Sequence, residues 1–266
     1  MKIPNFKKPL SKKSVTIPFA LYLSLSIFII SVSCSSQVSG VLRQGGAGDL
    51  TIKASLEPRM SSLISSLKMI MGNAGLGSAG LNNTGASGSN LILDGNSISR
   101  SMSSSPGVQS AKLANTGPAA LEGTVAINKI NDFLSAGKET SFITYSEGQA
   151  GGKPSGRILF TIDRKTVPDL LAFLSAEASD YLTALMAPAI LDEEISKTDY
   201  LSMVSSLYGQ GIADEIKNSS IKATIDFPGP ITSISGGTSD KNRADFEIPV
   251  LDLLVLEKPM SWEVVW

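Results

Sequence analysis

Hydrophobic and polar positions switch between a period of two and a period near 3.6 several times along the chain, and the switches mark its elements. In residues 49–56 (DLTIKASL), Leu50, Ile52, Ala54 and Leu56 share one face, which predicts a strand. Pro58 opens a predicted helix whose stripe is Met60, Leu63, Ile64, Leu67, Ile70 and Met71, with Gly72 as its stop. Short helices are expected at 97–103 and 129–135, and strands at 108–114, 121–128, 140–147 and 156–163. The last two strands flank the Gly-rich GQAGGKPS and read as a hairpin.

Residues 166–217 carry helical spacing. Thr166 is the expected cap of a helix through Val167, Leu170, Leu171, Leu174, Ala178, Tyr181, Leu182 and Leu185, ended by Pro188. Thr198 is the expected cap of the next, which holds Leu201, Val204, Leu207 and Tyr208. Gly209 and Gly211 break it before a helix at 212–217. Period two then returns at 221–227, Pro228-Gly229-Pro230 turns the chain, and 231–234 runs back. Another strand is expected at 243–248. Pro249 opens a very apolar helix, VLDLLVLE, and residues 260–266 close the chain. In that last strand Met260, Trp262, Val264 and Trp266 share one face, a candidate core face or apolar ligand wall. Ser261, Glu263 and Val265 take the other.

Strands, a helical block and strands again make an α+β order rather than βαβ repetition. The predicted fold is a mostly antiparallel curved sheet with a central helical block, preceded by a cleaved signal peptide and a short flexible tether. Residues 1–33 are the leader, 34–48 the acylated tether, and 49–266 a single domain. Within the domain, residues 72–90 contain only Gly, Ala, Asn, Ser, Thr and two Leu, and read as a flexible loop.

The leader carries most of the functional information. Lys2, Lys7, Lys8, Lys12 and Lys13 precede an uncharged run, VTIPFALYLSLSIFIISV, at 15–32. A basic flank before an apolar run reads as an export signal, and the lysines hold that flank in the cytoplasm. Three readings compete: a membrane-spanning anchor, marginal at this length; an ordinary signal peptide; and a lipoprotein signal. Ser31-Val32-Ser33-Cys34 resembles a bacterial lipobox in its relaxed, spirochaete-like form, with Ser31 where an aliphatic residue is usual. The resemblance implies acyl chains on Cys34 and cleavage before it. It places the protein on the cell membrane or outer membrane, facing the periplasm or the exterior. The single cysteine of the chain stands directly after the apolar run, which fits that role. Removing residues 1–33 takes away five lysines and no acid, so a net charge of −1 becomes −6. Such a body has no field for nucleic acid, and nucleic acid is excluded as a partner.

Composition narrows the chemistry further. The 266 residues include no histidine, which removes Ser-His-Asp triads, Cys-His pairs and His-ligated zinc. One cysteine removes internal disulfides and thiolate clusters. Gly75 to Gly80 spell GxGxxG, but a helix rather than a strand is expected before them. Gly151-Gly152-Lys153 lacks the rest of a phosphate loop. Ser65 and Lys68 have the SxxK spacing of a nucleophile and its base, on one helix face. Asp192, Glu193, Glu194, Asp214 and Glu215 offer carboxylates. In a Ser-rich chain these patterns read first as solvated faces, and no cofactor or metal is expected.

The C-terminal third adds a second resemblance. Phe227-Pro228-Gly229-Pro230-Ile231, Gly236-Gly237 and the strand ending Trp262-Glu263-Val264-Val265-Trp266 look like the end of LppM-type envelope lipoproteins. That resemblance implies a membrane-tethered α+β domain of a lipid-binding type. The functional expectation is a non-catalytic envelope lipoprotein that binds a lipid or other apolar ligand, with helical faces at 167–185, 200–216 and 250–256 forming the enclosure. The alternative is a structural or assembly lipoprotein that contacts another envelope protein. A Ser-Lys or carboxylate hydrolase stands third.

Overall fold

The alternating segments pair into two sheets. The computed structural model describes residues 35–73, 93–135, 142–167, 185–186 and 194–266. In chain order these form β1 Ser35–Leu42, β2 Gly48–Ser55, α1 Pro58–Asn73, α2 Gly95–Ser103, β3 Val108–Gly117, β4 Ala120–Ile127, α3 Ile130–Ser135, β5 Ile143–Ala150 and β6 Lys153–Ile162. Then come α4 Lys197–Tyr208, α5 Gln210–Asn218, β7 Ser220–Asp226, β8 Ser233–Ser235, β9 Thr238–Asp240, β10 Arg243–Pro249, α6 Val250–Val255 and β11 Met260–Val265. The large sheet has the order β3-β4-β2-β1-β7-β10-β9, and the small one β5-β6-β11-β8. Sheets dominate a mixed architecture with few helices, and the expected single curved sheet is corrected to two.

The second correction concerns residues 35–48. They are not a tether: 35–42 is a central strand of the large sheet. It pairs antiparallel with β2, Gln37 opposite Lys53, and parallel with β7, Ser35 opposite Ser220. Val38 and Leu42 are buried on one face with Ser36 beside them, while Val41, the other apolar side chain of the strand, is exposed on the opposite face. With Ser, Gln and Gly between them, that alternation is too sparse to read as a strand locally. Hydrogen bonding on both edges holds it instead.

The large sheet has one wet face and one dry face. On the wet side Lys53 pairs with Glu122 at 2.8 Å, Arg243 with Asp226 at 2.9 Å, and Thr224 Oγ1 donates to Asp245 at 2.6 Å. The Arg243 hydrogen bond holds the Asp226 carboxyl below its usual range. On the dry side Val38, Ile52, Leu113, Leu121, Val125 and Ile221 point inward and are buried. α2 runs along the free edge of β3, where Ser99 Oγ accepts from Leu113 N–H and Ser103 Oγ from Ala111 N–H, and its Met102 joins Leu93 and Phe133 in the core of the β3–β4–β2 wing. The β1–β7–β10 wing faces the small sheet.

Helices close one end of this sandwich. α6 continues directly from β10, α5 leads into β7, and α1 starts three residues after β2 ends. Glu215 of α5 accepts from the free N–H groups of Arg59 and Met60, capping α1 where its dipole favours an anion. Tyr200 of α4 is buried and donates to Leu185 O at 2.9 Å. Burial, then the neighbouring Tyr208, pushes its hydroxyl well above the ordinary tyrosine range.

Smaller corrections follow the same logic. The cap of α4 is Ser196, whose Oγ accepts from Asp199 N–H, rather than Thr198. Before residue 167 the capping side chain is Asp163, accepting from Lys165 and Thr166 N–H, with Thr166 Oγ1 accepting Asp163 N–H in return. Residues 231–234 do not run back along β7. The Pro-Gly-Pro turn carries the chain across to the small sheet, where β8 pairs with β11, Ile234 opposite Val264. The β5–β6 hairpin turns on Gly151 and Gly152 at φ +60° and +75°, the two left-handed positions a tight hairpin needs. Cys34, the lipobox, the GxGxxG run and most of the helix expected at 166–185 lie outside the described residues.

Candidate apolar binding cavity

Between the two sheets lies a cavity of about 310 Å³. Its walls come from alternate positions of strands: Leu50 on β2, Ala223 and Ile225 on β7, Phe246 and Ile248 on β10, Ile158, Phe160 and Ile162 on β6, and Trp262 and Val264 on β11. Every lining residue among those described is apolar or glycine. The walls are under-packed: Ile225, Phe246, Ile248, Ile158 and Phe160 point inward yet are only half-buried. In a filled core such positions lose nearly all their accessible area.

The four residues singled out on the closing strand divide by position. Trp262 and Val264 are buried and line the cavity, with the Trp262 ring 5.5 Å from Phe160. Trp266 is buried at the end away from the helices. Its ring lies 4.9 Å from Phe227 and 6.1 Å from Tyr145, and fills the space a side chain at Gly156 would need. Met260 is half-buried against the helical end. One face of one strand thus serves as cavity wall in its middle and as packing at its ends.

At the far end the cavity is bounded by Leu42, Gly46, Gly48, Ile127, Ile130 and Phe227. There the β1–β2 turn is tied to the small sheet. Gly45 N–H donates to Glu147 Oε2 at 3.2 Å, and Tyr145 OH donates to the same oxygen at 2.7 Å. Burial, then the Glu147 carboxylate, raises the Tyr145 hydroxyl well above its ordinary range, so it stays a proton donor.

The helical faces expected to enclose a ligand do not do so among the described residues: only Leu253 of α6 reaches the cavity. The strand residues that form it were visible in sequence as strands, not as a site. What could have marked them is small residues, Gly48 and Ala223, at inward positions where a filled core would place larger ones.

The candidate catalytic groups lie elsewhere and apart. Ser65 Oγ donates to Ser61 O within its own helix, Glu215 caps α1, and Asp214 accepts from Gln210. Asp192 and Glu193 lie outside the described residues, and Glu194 is exposed. Among the described residues no three acidic or cysteine side chains gather as metal ligands.

The fold and the cavity define a class in structural terms: a two-sheet body around an apolar chamber, one end closed by helices. No protein-family model matches the chain, and no curated protein matches it. Among solved structures it is similar to the folded domain of LppM from Mycobacterium tuberculosis, determined by NMR. The TM-score is 0.37 and the identity 9%, over 88% of each chain. A likeness at that level fixes neither family nor function. No helix among the described residues is long and apolar enough to cross a membrane.

Proposed function

We propose that the protein is a membrane-tethered, non-catalytic envelope lipoprotein whose inter-sheet cavity holds an apolar ligand such as a lipid. The carrying observation is the cavity: about 310 Å³ with walls wholly apolar among the described residues. Such walls offer no partner to a buried charge, whose desolvation would then go uncompensated. They suit a hydrocarbon portion, with any polar head left outside. The leader supports the tether, through acyl chains on Cys34.

Native mass spectrometry of the protein purified from the cells that make it tests the binding. The expected spectrum contains a ligand-bound species, and Ala223→Phe, which places a ring in the chamber, abolishes it while the fold persists by circular dichroism. A folded protein that carries no ligand and instead retains a second protein supports the assembly reading. The tether is tested separately with a palmitate analogue: wild type is labelled and Cys34→Ser is not. An unlabelled wild type defeats acylation at Cys34.

A further inference from the structure

The register of β1 fixes which end of the body the leader approaches. Ser35 lies opposite Ser220, the first residue of β7, directly after α5. Ser220 in turn lies opposite Pro249, after which α6 begins. By continuation of the β1–β2 register, Ser35 is level with Ser55, three residues before α1. The chain therefore enters at the helical end. Only Ser33 and Cys34 separate the uncharged run at 15–32 from β1. Two extended residues span about 7 Å. With a central strand where a flexible spacer was expected, the body has no slack to stand away from the bilayer. This holds for an acylated Cys34 and for an uncleaved anchor alike.

The helical end also carries most of the exposed large apolar side chains among the described residues; the remaining one, Val41, lies near the 43–47 turn. Three of the four exposed large hydrophobic side chains among the described residues lie on α4: Leu207 at 66%, Tyr208 at 40% and Met203 at 37%. Tyr200 and Val204 of the same helix are buried, and Leu207, three residues beyond Val204, continues their side of the helix. The apolar stripe of α4 thus runs off the body at its last turn. That turn shares a groove with Pro58 and Arg59, the first residues of α1. The charged residues of that groove balance: Arg59 against Asp214. An apolar surface rather than a charged one is therefore the match.

We propose that the helical end of the body lies against the membrane, with Leu207, Tyr208 and Met203 of α4 seated in the headgroup–acyl interface. The inference rests on the reading of the leader as a membrane anchor. Tyrosine beside leucine and methionine suits that layer, where an amphipathic ring keeps its hydroxyl wet. Three side chains do not anchor a protein. They orient one that an anchor already holds. The cavity then runs along the membrane normal, and the 43–47 turn faces away from the bilayer.

The test uses the full chain in phosphatidylcholine vesicles with and without brominated acyl chains, which quench tryptophan on contact. Native Trp262 and Trp266 are buried, but Trp262 lines the cavity and would itself be quenched by an acyl chain held there, so the quenching of the wild-type protein is measured first and subtracted from that of each variant. The expected result is loss of the added emission of Leu207→Trp in brominated vesicles, unchanged by salt. Gln149→Trp, on the exposed hairpin at the opposite end, keeps its emission. Tyr208→Trp serves as a second, more conservative reporter. Protein that floats with the vesicles while Leu207→Trp and Tyr208→Trp stay unquenched overturns the orientation alone. Equal quenching at Gln149→Trp overturns it as well. Protein that does not float with the vesicles overturns the anchoring, and the orientation with it.

Discussion

The dry face of the large sheet is covered in two ways. Over β3, β4 and β2 the cover is helical and loop side chains, Met102 of α2 with Leu93 and Phe133, and Ile52, Leu113, Leu121 and Val125 are buried against them. Over β1, β7 and β10 the cover is another sheet, and Ile225, Phe246 and Ile248 are half-buried around an open chamber. The alternation of side chains is the same in both wings; the cover differs. A helix can settle onto a sheet until side chains interlock. A second sheet is held at a distance by its own edges, here by Tyr145, Phe227 and Trp266 at one end and the helices at the other. The space left is what side chains of the size present fail to fill.

That contrast is open to measurement. The largest difference is expected from truncation. Leu113→Ala in the packed wing should cost about 2–5 kcal/mol of unfolding free energy. Ile225→Ala at the chamber wall removes less buried area and should cost about 1–2 kcal/mol. Urea denaturation reads both, and equal costs would show that the chamber is filled. Enlargement should invert the order. Ala111→Leu overpacks the first wing and should cost about 1–3 kcal/mol. Ala223→Leu has room, and should leave the urea midpoint unchanged or raise it while lowering ligand occupancy.

A smaller effect is expected at high pH. Tyr145 and Tyr200 are raised above their unfolded value, so the unfolded chain loses their protons first. The stability tied to the protonated hydroxyls is whole below about pH 10 and falls as pH rises from there through the folded values. Tyr145→Phe and Tyr200→Phe should each flatten the alkaline loss in stability, followed by tyrosinate absorbance and ellipticity together. The smallest effect belongs to the wet face. Lys53→Ala breaks an exposed pair with Glu122 and should cost about 0.2–1 kcal/mol, less at high salt. A larger cost there would mean that this face is covered in the assembled protein.

Elements with full alternation or a clear stripe were legible in the sequence: β2, α1, the β5–β6 hairpin, β7, β10, α6 and β11 all lie near their expected places. What was not legible is long-range. β1 is too sparsely apolar to announce itself and exists because β2 and β7 flank it. The return of 231–234 to the small sheet depends on where β11 sits, not on the turn. The closing strand was recognised as an apolar face, but its division into chamber wall and packed end needs Phe227, Tyr145 and Gly156, which come from three other segments. A cavity is a relation between strands far apart in sequence, and periodicity within a strand does not encode it.

The parallel pairing of β1 with β7 has a consequence for how the molecule is made. The strand nearest the start of the body waits for a partner that is synthesised only when Ser220–Asp226 has been added. Until then β1 has only β2 to pair with, on the edge of the β3–β4–β2 wing, and its other edge stays open. Contacts of such sequence separation slow folding. A chain emerging leader first can therefore assemble the β3–β4–β2 wing early, but the β1–β7–β10 wing and the cavity only after Ser220–Asp226 has appeared. Its first strand joins β7 only late, so truncation from either terminus should remove the cavity while leaving the β3–β4–β2 wing its own core.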